Sequence, residues 1–160
     1  MRYVAKVTRE GNRYLAGFSD APGCQTFADS EAELRVAAKE ALEGWLEAHL
    51  ESGQVPPAPK PRVARGLAIE VDPALSVAIE LRRARHAAGL SQSALASLAR
   101  VSQQQIAKLE RPGENPSIET LKKVAAAMGL RPVVSFEQSR PGIRTVGLAR
   151  GTRSRRRAMG

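Results

Sequence analysis

The chain contains little cysteine, few aromatic residues and no long apolar run. Its single cysteine, Cys24, excludes a disulfide framework and cannot by itself build a thiolate zinc site. No apolar stretch approaches the roughly 18 residues that a membrane-spanning helix needs, and the first residues lack the apolar stretch of a signal peptide. We therefore expect a cytoplasmic protein with no membrane partner.

Aromatic residues are also unevenly spread along the 160 residues. Five of the six lie within the first 45 residues, so the two halves of the chain have cores of different kinds. Between the halves, residues 56–61 include four prolines, which exclude a helix interior or a central strand and favour a stiff extended connector over 53–65. The sequence thus predicts an N-terminal domain over 1–71, a second domain over 72–138 and a disordered Arg-rich tail over 139–160.

The formal net charge of +9 favours a polyanionic partner, but this charge is divided unequally. Residues 1–54 carry 6 Lys and Arg against 9 Asp and Glu, a net of −3. Residues 55–139 carry 12 against 7, a net of +5, and residues 140–160 carry seven Arg and no acid. The C-terminal part therefore suits nucleic acid, whereas the N-terminal part suits a basic protein. The tail arginines are equally consistent with contacts to the DNA backbone and with a solvated tail.

Alternating apolar and polar residues predict four short strands, and a helical period predicts one helix between the third and the fourth strand. Ser30 and Glu33 form a capping box that starts this helix. We expect its apolar stripe to comprise Leu34, Ala38, Ala41, Trp45 and Ala48. The strands are expected over residues 2–8, 14–18, 24–27 and 67–71. The N-terminal domain is therefore predicted to be a β-β-β-α-β unit.

Part of this unit resembles a known family. Asp20-Ala21-Pro22-Gly23-Cys24, followed by Thr26 and by Asp29-Ser30 at the start of a Glu- and Ala-rich helix, is similar to the HicB antitoxin family. The resemblance covers about the first 70 residues. It implies a partial ribonuclease-H-like fold that binds and neutralises a small basic ribonuclease toxin of the HicA type.

The carboxylates of this unit do not favour catalysis. An active ribonuclease-H site needs carboxylates that converge on magnesium from the first strand onward, and residues 2–8 contain none. His49 and His86 have no companions at metal-ligand spacing. We expect no enzymatic activity, no catalytic residue, no metal and no cofactor. A stripe of acidic residues on the helix is either a solvated face or a docking surface for the toxin, and it comprises Glu40, Glu43, Glu47 and Glu51.

The second half of the chain is predicted to be all helical. Asp72-Pro73 places an N-cap and a proline at the first helical position. In the next helix, Gln92 to Ala99, we expect Leu95 and Leu98 to face inward. The next two helices begin at serine caps, Ser91 and Ser102, and Asn115-Pro116-Ser117 starts the fourth helix.

The segment from Leu90 to Leu130 resembles the Cro/repressor type of helix-turn-helix of the Xre family. The resemblance implies an all-α DNA-binding domain. Arg100 departs from the family pattern, which usually has glycine there because the turn needs a positive φ, at a cost of order 1 kcal/mol for other residues. The matching residues are Leu90-Ser91-Gln92, Leu95-Ala96, Val101-Ser102, Ile106, Leu109-Glu110, Asn115-Pro116-Ser117 and Thr120-Leu121.

In this geometry the helix after the turn enters the major groove, and its first residues face base edges. Glutamine can bond bidentately to adenine N6 and N7. A residue at the start of the helix before the turn lies against a phosphate. The predicted DNA-binding residues are therefore Gln92, Ser102, Gln103, Gln104, Gln105 and Lys108.

Two further features leave alternatives open. Arg82, Arg83 and Arg85 are as consistent with a solvated face as with contacts to the DNA backbone. Residues 132–137 alternate like a short strand, which either pairs with its copy across a two-fold axis or packs on its own domain. Because one small helical unit makes few base contacts, we expect a homodimer or higher oligomer on a palindromic operator.

The predicted fold class is α+β, with the small sheet unit joined to an all-α helix-turn-helix domain. The predicted function is that of an antitoxin that neutralises a small basic ribonuclease toxin and represses its own operon by binding double-stranded operator DNA. The alternative is a stand-alone Xre-type repressor whose N-terminal domain senses a ligand or oligomerises.

Overall fold

The computed structural model describes residues 1–60 and 66–135. The N-terminal elements run in the order β1 (Arg2–Glu10), β2 (Arg13–Phe18), β3 (Gln25–Ala28), α1 (Glu31–Glu51) and β4 (Leu67–Glu70). The C-terminal half contains α2 (Pro73–Ala87), α3 (Gln92–Ala99), α4 (Gln103–Leu109) and α5 (Ile118–Ala127). None of the helices in the described ranges is long and apolar enough to cross a membrane.

The four strands form one antiparallel sheet in the order β3-β2-β1-β4. Tyr3 pairs with Ile69 of β4, and Ala5 pairs with Phe18 of β2, so their side chains share the face that is buried against α1. The predicted β-β-β-α-β order is confirmed, including the fourth strand in the same sheet. The finer assignment to a ribonuclease-H-like fold stays a prediction.

Helix α1 begins where the sequence predicts, because the Ser30 hydroxyl accepts the backbone N–H of Glu33 at 3.3 Å. Its predicted apolar stripe is partly wrong. Ala48 is exposed, and Trp45 is half-buried at the edge, where its indole N–H donates to the carbonyl of Pro22 at 3.2 Å. The larger leucines at a spacing of four residues bury more apolar surface against the sheet, and the buried stripe comprises Leu34, Ala38, Leu42, Leu46 and Leu50.

The proline-rich connector is neither helix nor strand over 54–60, as predicted, and it is packed onto the sheet unit. Pro56 is buried, and the Tyr3 hydroxyl donates to the carbonyl of Pro57 at 2.7 Å. The backbone N–H of Lys60 donates to Asp20 Oδ2 at 3.0 Å. These contacts make the first part of the connector a fixed component of the N-terminal unit, whereas 61–65 lie outside the described residues.

Helix α2 belongs to both apolar cores. Its first two turns place Leu75 and Ile79 in the core beneath the sheet, together with the α1 leucines. Its later residue Leu81 lies in a second core, which also holds Leu95 of α3 and Ile106 of α4. One helix therefore connects the sheet unit to the four-helix unit without a loop between the two cores.

One expectation for the C-terminal half is wrong, and a second is not met within the described residues. Leu98 is 58% exposed instead of facing inward, because the core side of α3 is filled by Leu95, Ala96 and Ala99. Residues 131–135 pair with no strand in the described parts of the chain, and pairing with a second copy stays a prediction. Residues 136–138 and the predicted tail over 139–160 lie outside the described residues.

Candidate nucleic-acid interface

The turn between α3 and α4 is tight and left-handed at one residue. Arg100 has φ 54° and ψ 50°, and it is the only non-glycine residue with positive φ in the described parts of the chain. Its backbone N–H donates to the carbonyl of Ser97 at 3.2 Å, and its own carbonyl accepts Lys123 Nζ of α5 at 3.3 Å. The turn thus has the positive φ that the resemblance to the Xre family predicts, although the residue there is arginine and not glycine.

Helix α4 presents polar residues to solvent at its first turn. The Ser102 hydroxyl accepts the backbone N–H of Gln105 at 3.1 Å and so caps the helix, as predicted. Ile106 and Leu109 are buried in the second core and fix the rotation of the helix. The residues left exposed by this rotation are Ser102, Gln103, Gln104, Gln105 and Lys108. The structure therefore exposes five of the six predicted DNA-binding residues on α4 and its N-cap, four of them at the helix start and Lys108 in the last turn.

Lys108 and Gln92 have partners inside the protein. Lys108 Nζ lies 3.5 Å from Glu114 Oε2. Because the lysine side chain is 66% exposed, it can leave this ion pair and contact another group. Gln92 is half-buried, and its Nε2 donates to Glu110 Oε2 at 3.0 Å. Because an amide nitrogen has two N–H groups, one remains for a phosphate while the other holds Glu110.

A buried charge cluster fixes the end of α4. Glu110, directly after the helix, is fully buried, and Arg85 clamps its carboxylate with Nε at 2.6 Å and Nη2 at 2.9 Å. Arg82 Nε lies 3.3 Å from the same carboxylate. Burial alone would raise the pKa of Glu110, but the hydrogen bonds from Arg85 and Gln92 and the two guanidinium charges outweigh it and lower this pKa below its ordinary value.

The sequence left two interpretations open for the arginines of α2, a solvated face and contacts to the DNA backbone. Both interpretations are wrong for Arg82 and Arg85. Both are more than nine-tenths buried, and their guanidinium groups bond inside the protein, so they face neither solvent nor DNA. Arg83 is also occupied, since its Nε donates to the carbonyl of Pro56 at 3.0 Å and its Nη2 to the Tyr3 hydroxyl at 3.2 Å. Sequence reasoning missed this cluster.

The acidic stripe of α1 is divided by the structure. Glu43 is half-buried, accepts the backbone N–H of Asp72 at 2.7 Å and lies 3.7 Å from Lys39 Nζ. It positions the start of α2. Three carboxylates remain exposed for a partner, those of Glu40, Glu47 and Glu51.

The histidine of α1 has a local role. The His49 ring stacks on Trp45 with 3.6 Å between ring centroids, and its Nδ1 lies 2.8 Å from the Trp45 carbonyl oxygen. Within 1–60 and 66–135, no group of three His, Cys, Asp or Glu could hold a metal ion.

Comparison with known families agrees with this geometry. A family model described as helix-turn-helix matches residues 81–134, from the second half of α2 to beyond α5. Residues 81–134 are a helix-turn-helix domain of the Xre type. Domains of this family are typically non-enzymatic and bind DNA, so the match supports a DNA-binding transcription regulator. No curated protein matches the chain. The matched range leaves out the sheet unit, and the HicB resemblance there stays a prediction.

Proposed function

We propose that the protein is a sequence-specific transcription repressor whose helix α4 reads bases in the major groove. The exposed start of α4 supports this proposal. Three consecutive glutamines are exposed to solvent there, on a helix whose opposite face is packed into the second core. Each glutamine can bond bidentately to an adenine. The capping of α4 by Ser102 holds the backbone of these residues in place before DNA arrives.

The double variant Gln103→Ala/Gln104→Ala tests this role. Binding sequences are first selected from a random duplex pool with the full chain, and affinities are then measured for the selected duplex and a scrambled one. We expect specific binding to weaken by about 1–3 kcal/mol for each lost base contact, with non-specific binding nearly unchanged. Gln25→Ala, an exposed glutamine on β3, is the matched control. Equal losses on both duplexes would exclude α4 as the reader.

We further propose that the repressor acts as a homodimer or higher oligomer. A single unit with five exposed polar residues on α4 and its N-cap makes few base contacts, and a two-fold dimer doubles them. The selected sites should then be palindromic, with half-site centres about 34–36 Å apart or a multiple of that spacing. Sedimentation of the complex gives its stoichiometry, and a complex of one chain on a site without symmetry contradicts the oligomer.

A second proposal assigns the sheet unit to a small basic ribonuclease toxin, which would make the protein an antitoxin. Its support is the net charge of −3 over residues 1–54 and the exposed carboxylates of Glu40, Glu47 and Glu51 on one helix. Co-expression with a toxin-sized neighbouring reading frame tests it, and rescue of growth is expected. In the variant Glu40→Lys/Glu47→Lys/Glu51→Lys rescue should be lost, whereas Glu119→Lys on α5 should retain it. Failure of rescue by the unmodified chain leaves the stand-alone repressor.

A further inference from the structure

The sheet of the N-terminal unit has one covered face and one open face. Alternate residues of each strand, such as Tyr3, Ala16 and Ile69, are buried in the core with α1. The residues between them point to the opposite side of the sheet. We call this side the open face, because most of its side chains are exposed. Its central residues are Lys6 and Thr8 of β1, Leu15 and Gly17 of β2, and Gln25 and Phe27 of β3.

One row of the open face is hollow at its centre. Lys6 lies opposite Gly17 of β2, and Gly17 lies opposite Gln25 of β3. Gly17 has no side chain, and a Cβ built there would meet no atom within 4 Å. All three residues line a groove of about 390 Å³ that extends across β2 from β1 to β3. The open face is therefore shaped to accept a ligand between a lysine and a glutamine.

The next row carries an exposed aromatic ring. Phe27 lies opposite Leu15 and is 59% exposed. The guanidinium carbon of Arg13 lies 5.0 Å from the centroid of the Phe27 ring. Unpaired bases stack on aromatic rings and on guanidinium planes. This part of the open face therefore offers a stacking surface with a positive charge beside it.

The charge of the N-terminal unit is separated between its two layers. The strands β1 and β2 together carry four basic residues and one acid, a net of +3. Helix α1 carries six acids and two basic residues, a net of −4, and it packs on the covered face. The net charge of −3 over residues 1–54 thus conceals two layers of opposite sign. The open face complements a polyanion, whereas α1 complements a basic protein.

Two of the cations on the open face are available to a ligand. Lys6 is exposed and forms no hydrogen bond or ion pair with any residue in 1–60 or 66–135. Arg13 Nε lies 3.3 Å from Asp29 Oδ1, but both side chains are largely exposed. Such exposed ion pairs contribute little, so a phosphate can replace the carboxylate. Lys6 and Arg13 lie on the two sides of the row that holds Phe27.

We propose that the open face binds single-stranded RNA, with a base stacked on Phe27 and phosphates at Lys6 and Arg13. A duplex keeps its base faces stacked inside, so only unpaired bases reach the ring. Thr8 and Gln25 add a hydroxyl and an amide, which bond a ribose 2′-hydroxyl as donor or as acceptor. These two groups favour RNA over DNA. The open face is thus a second nucleic-acid surface, separate from the duplex-reading helix α4.

The test measures the fluorescence anisotropy of a labelled RNA of about 12 nucleotides and mixed sequence, titrated with the full chain. Phe27→Ala should weaken binding about 5- to 150-fold, the range expected for the loss of one stacked base. Val36→Ala is the matched control, because it shortens a side chain of α1 that is 58% exposed, and it should leave the affinity unchanged.

Gly17→Val tests the hollow independently of the aromatic ring. Valine is favourable in a strand, and its side chain would project into open space, so the fold should be retained. The added side chain fills the hollow and should weaken RNA binding. Lys6→Ala should lower the slope of log K against log salt by about 0.7, the value for one phosphate of a single strand. Lys39→Ala on α1 should leave this slope unchanged.

Competition separates the open face from the helix-turn-helix domain. The variant Gln103→Ala/Gln104→Ala should retain its RNA affinity, and an excess of duplex DNA should not displace the RNA. The proposal is overturned if the duplex does displace it, or if Phe27→Ala binds RNA as tightly as the unmodified chain. Equal affinity for a DNA strand of the same sequence would contradict the assignment to RNA. If Phe27→Ala changes only the sedimentation of the free chain, the open face is an interface between copies instead.

Discussion

The guanidinium of Arg82 donates to the carbonyl oxygen of Leu50 at 2.7 Å, and so ties the last turn of α1 to the helix-turn-helix domain. The same side chain donates to the carbonyl of Glu110 at the end of α4. Arg82 therefore bonds both the C-terminal end of α1 and the C-terminal end of α4. Any partner or ligand that displaces the end of α1 also disturbs α4, which gives the sheet unit a physical route to DNA binding.

The cluster predicts different costs for its two arginines. Arg85→Ala leaves Glu110 without its bidentate partner in a buried site, which should reduce the free energy of unfolding by about 3–5 kcal/mol. Arg82→Ala leaves the pair of Arg85 and Glu110 intact and removes mainly hydrogen bonds to carbonyls, a loss of about 1.5–3 kcal/mol. Urea unfolding of both variants measures which substitution lowers the free energy of unfolding more.

Arg131→Ala provides the matched control for these substitutions, because Arg131 is exposed and lies after α5. Its effect should stay within about 0.5 kcal/mol. A larger cost for Arg82→Ala than for Arg85→Ala would show that the ties to Leu50 and Gln54 outweigh the buried ion pair.

Stability should fall in acid because of Glu110. Its pKa in the folded protein lies below the ordinary value, since two arginines and Gln92 hold the carboxylate form. A group with a lowered folded pKa contributes stability above its unfolded pKa, and this contribution is lost as the pH falls through the folded pKa. The urea midpoint should therefore decrease below the ordinary pKa of glutamate, about 4.3.

Glu110→Gln isolates this contribution. It removes the titrating group, so the variant should be less stable at neutral pH and lose less of its stability between neutral pH and acid. Glu119→Gln removes an exposed carboxylate on α5 and should retain the acid dependence of the unmodified chain. Parallel pH profiles for the chain and Glu110→Gln would assign the acid sensitivity to other carboxylates.

The turn makes a prediction of its own. Arg100→Gly should raise the free energy of unfolding by about 1 kcal/mol, because glycine adopts φ 54° without the steric cost that a Cβ imposes. Arg100→Ala is the matched control, since it removes the same side chain and keeps the cost. The contact from Lys123 goes to the carbonyl of residue 100 and survives both changes. Equal stabilities for the glycine and alanine variants would mean that the backbone carries no strain there.

The helix starts could be predicted from sequence because a cap depends only on its neighbours. Asp72, Ser91 and Ser102 cap the helices for which they were predicted, each bonding an N–H two or three residues on. Ser117 caps the helix whose start was predicted at Asn115-Pro116-Ser117. The positive φ at Arg100 was also available, from the resemblance to a family that usually has glycine at this position. The polar start of α4 follows in turn from the cap and from the buried Ile106.

The errors concern residues whose partners lie far along the chain. Arg82 and Arg85 meet Glu110 after 28 and 25 residues, and no local pattern distinguishes such buried arginines from solvated ones. Glu43 likewise bonds the backbone of Asp72, 29 residues away. For residues 131–135, alternation alone does not specify a partner strand, and none of the described strands pairs with them.

The corrected stripe of α1 gives the last prediction. Leu46 is fully buried beneath the sheet, so Leu46→Ala should cost about 2–5 kcal/mol through lost apolar burial and the cavity it leaves. Leu98→Ala removes the same atoms from a side chain that is 58% exposed, and should cost much less. Both free energies come from urea unfolding, followed by fluorescence of Trp45, which packs against the first core. If the two Leu→Ala variants lose the same free energy of unfolding, the rotation of α1 against the sheet is different from the one described. The apolar stripe through Ala41 and Ala48 would then describe the buried face of α1.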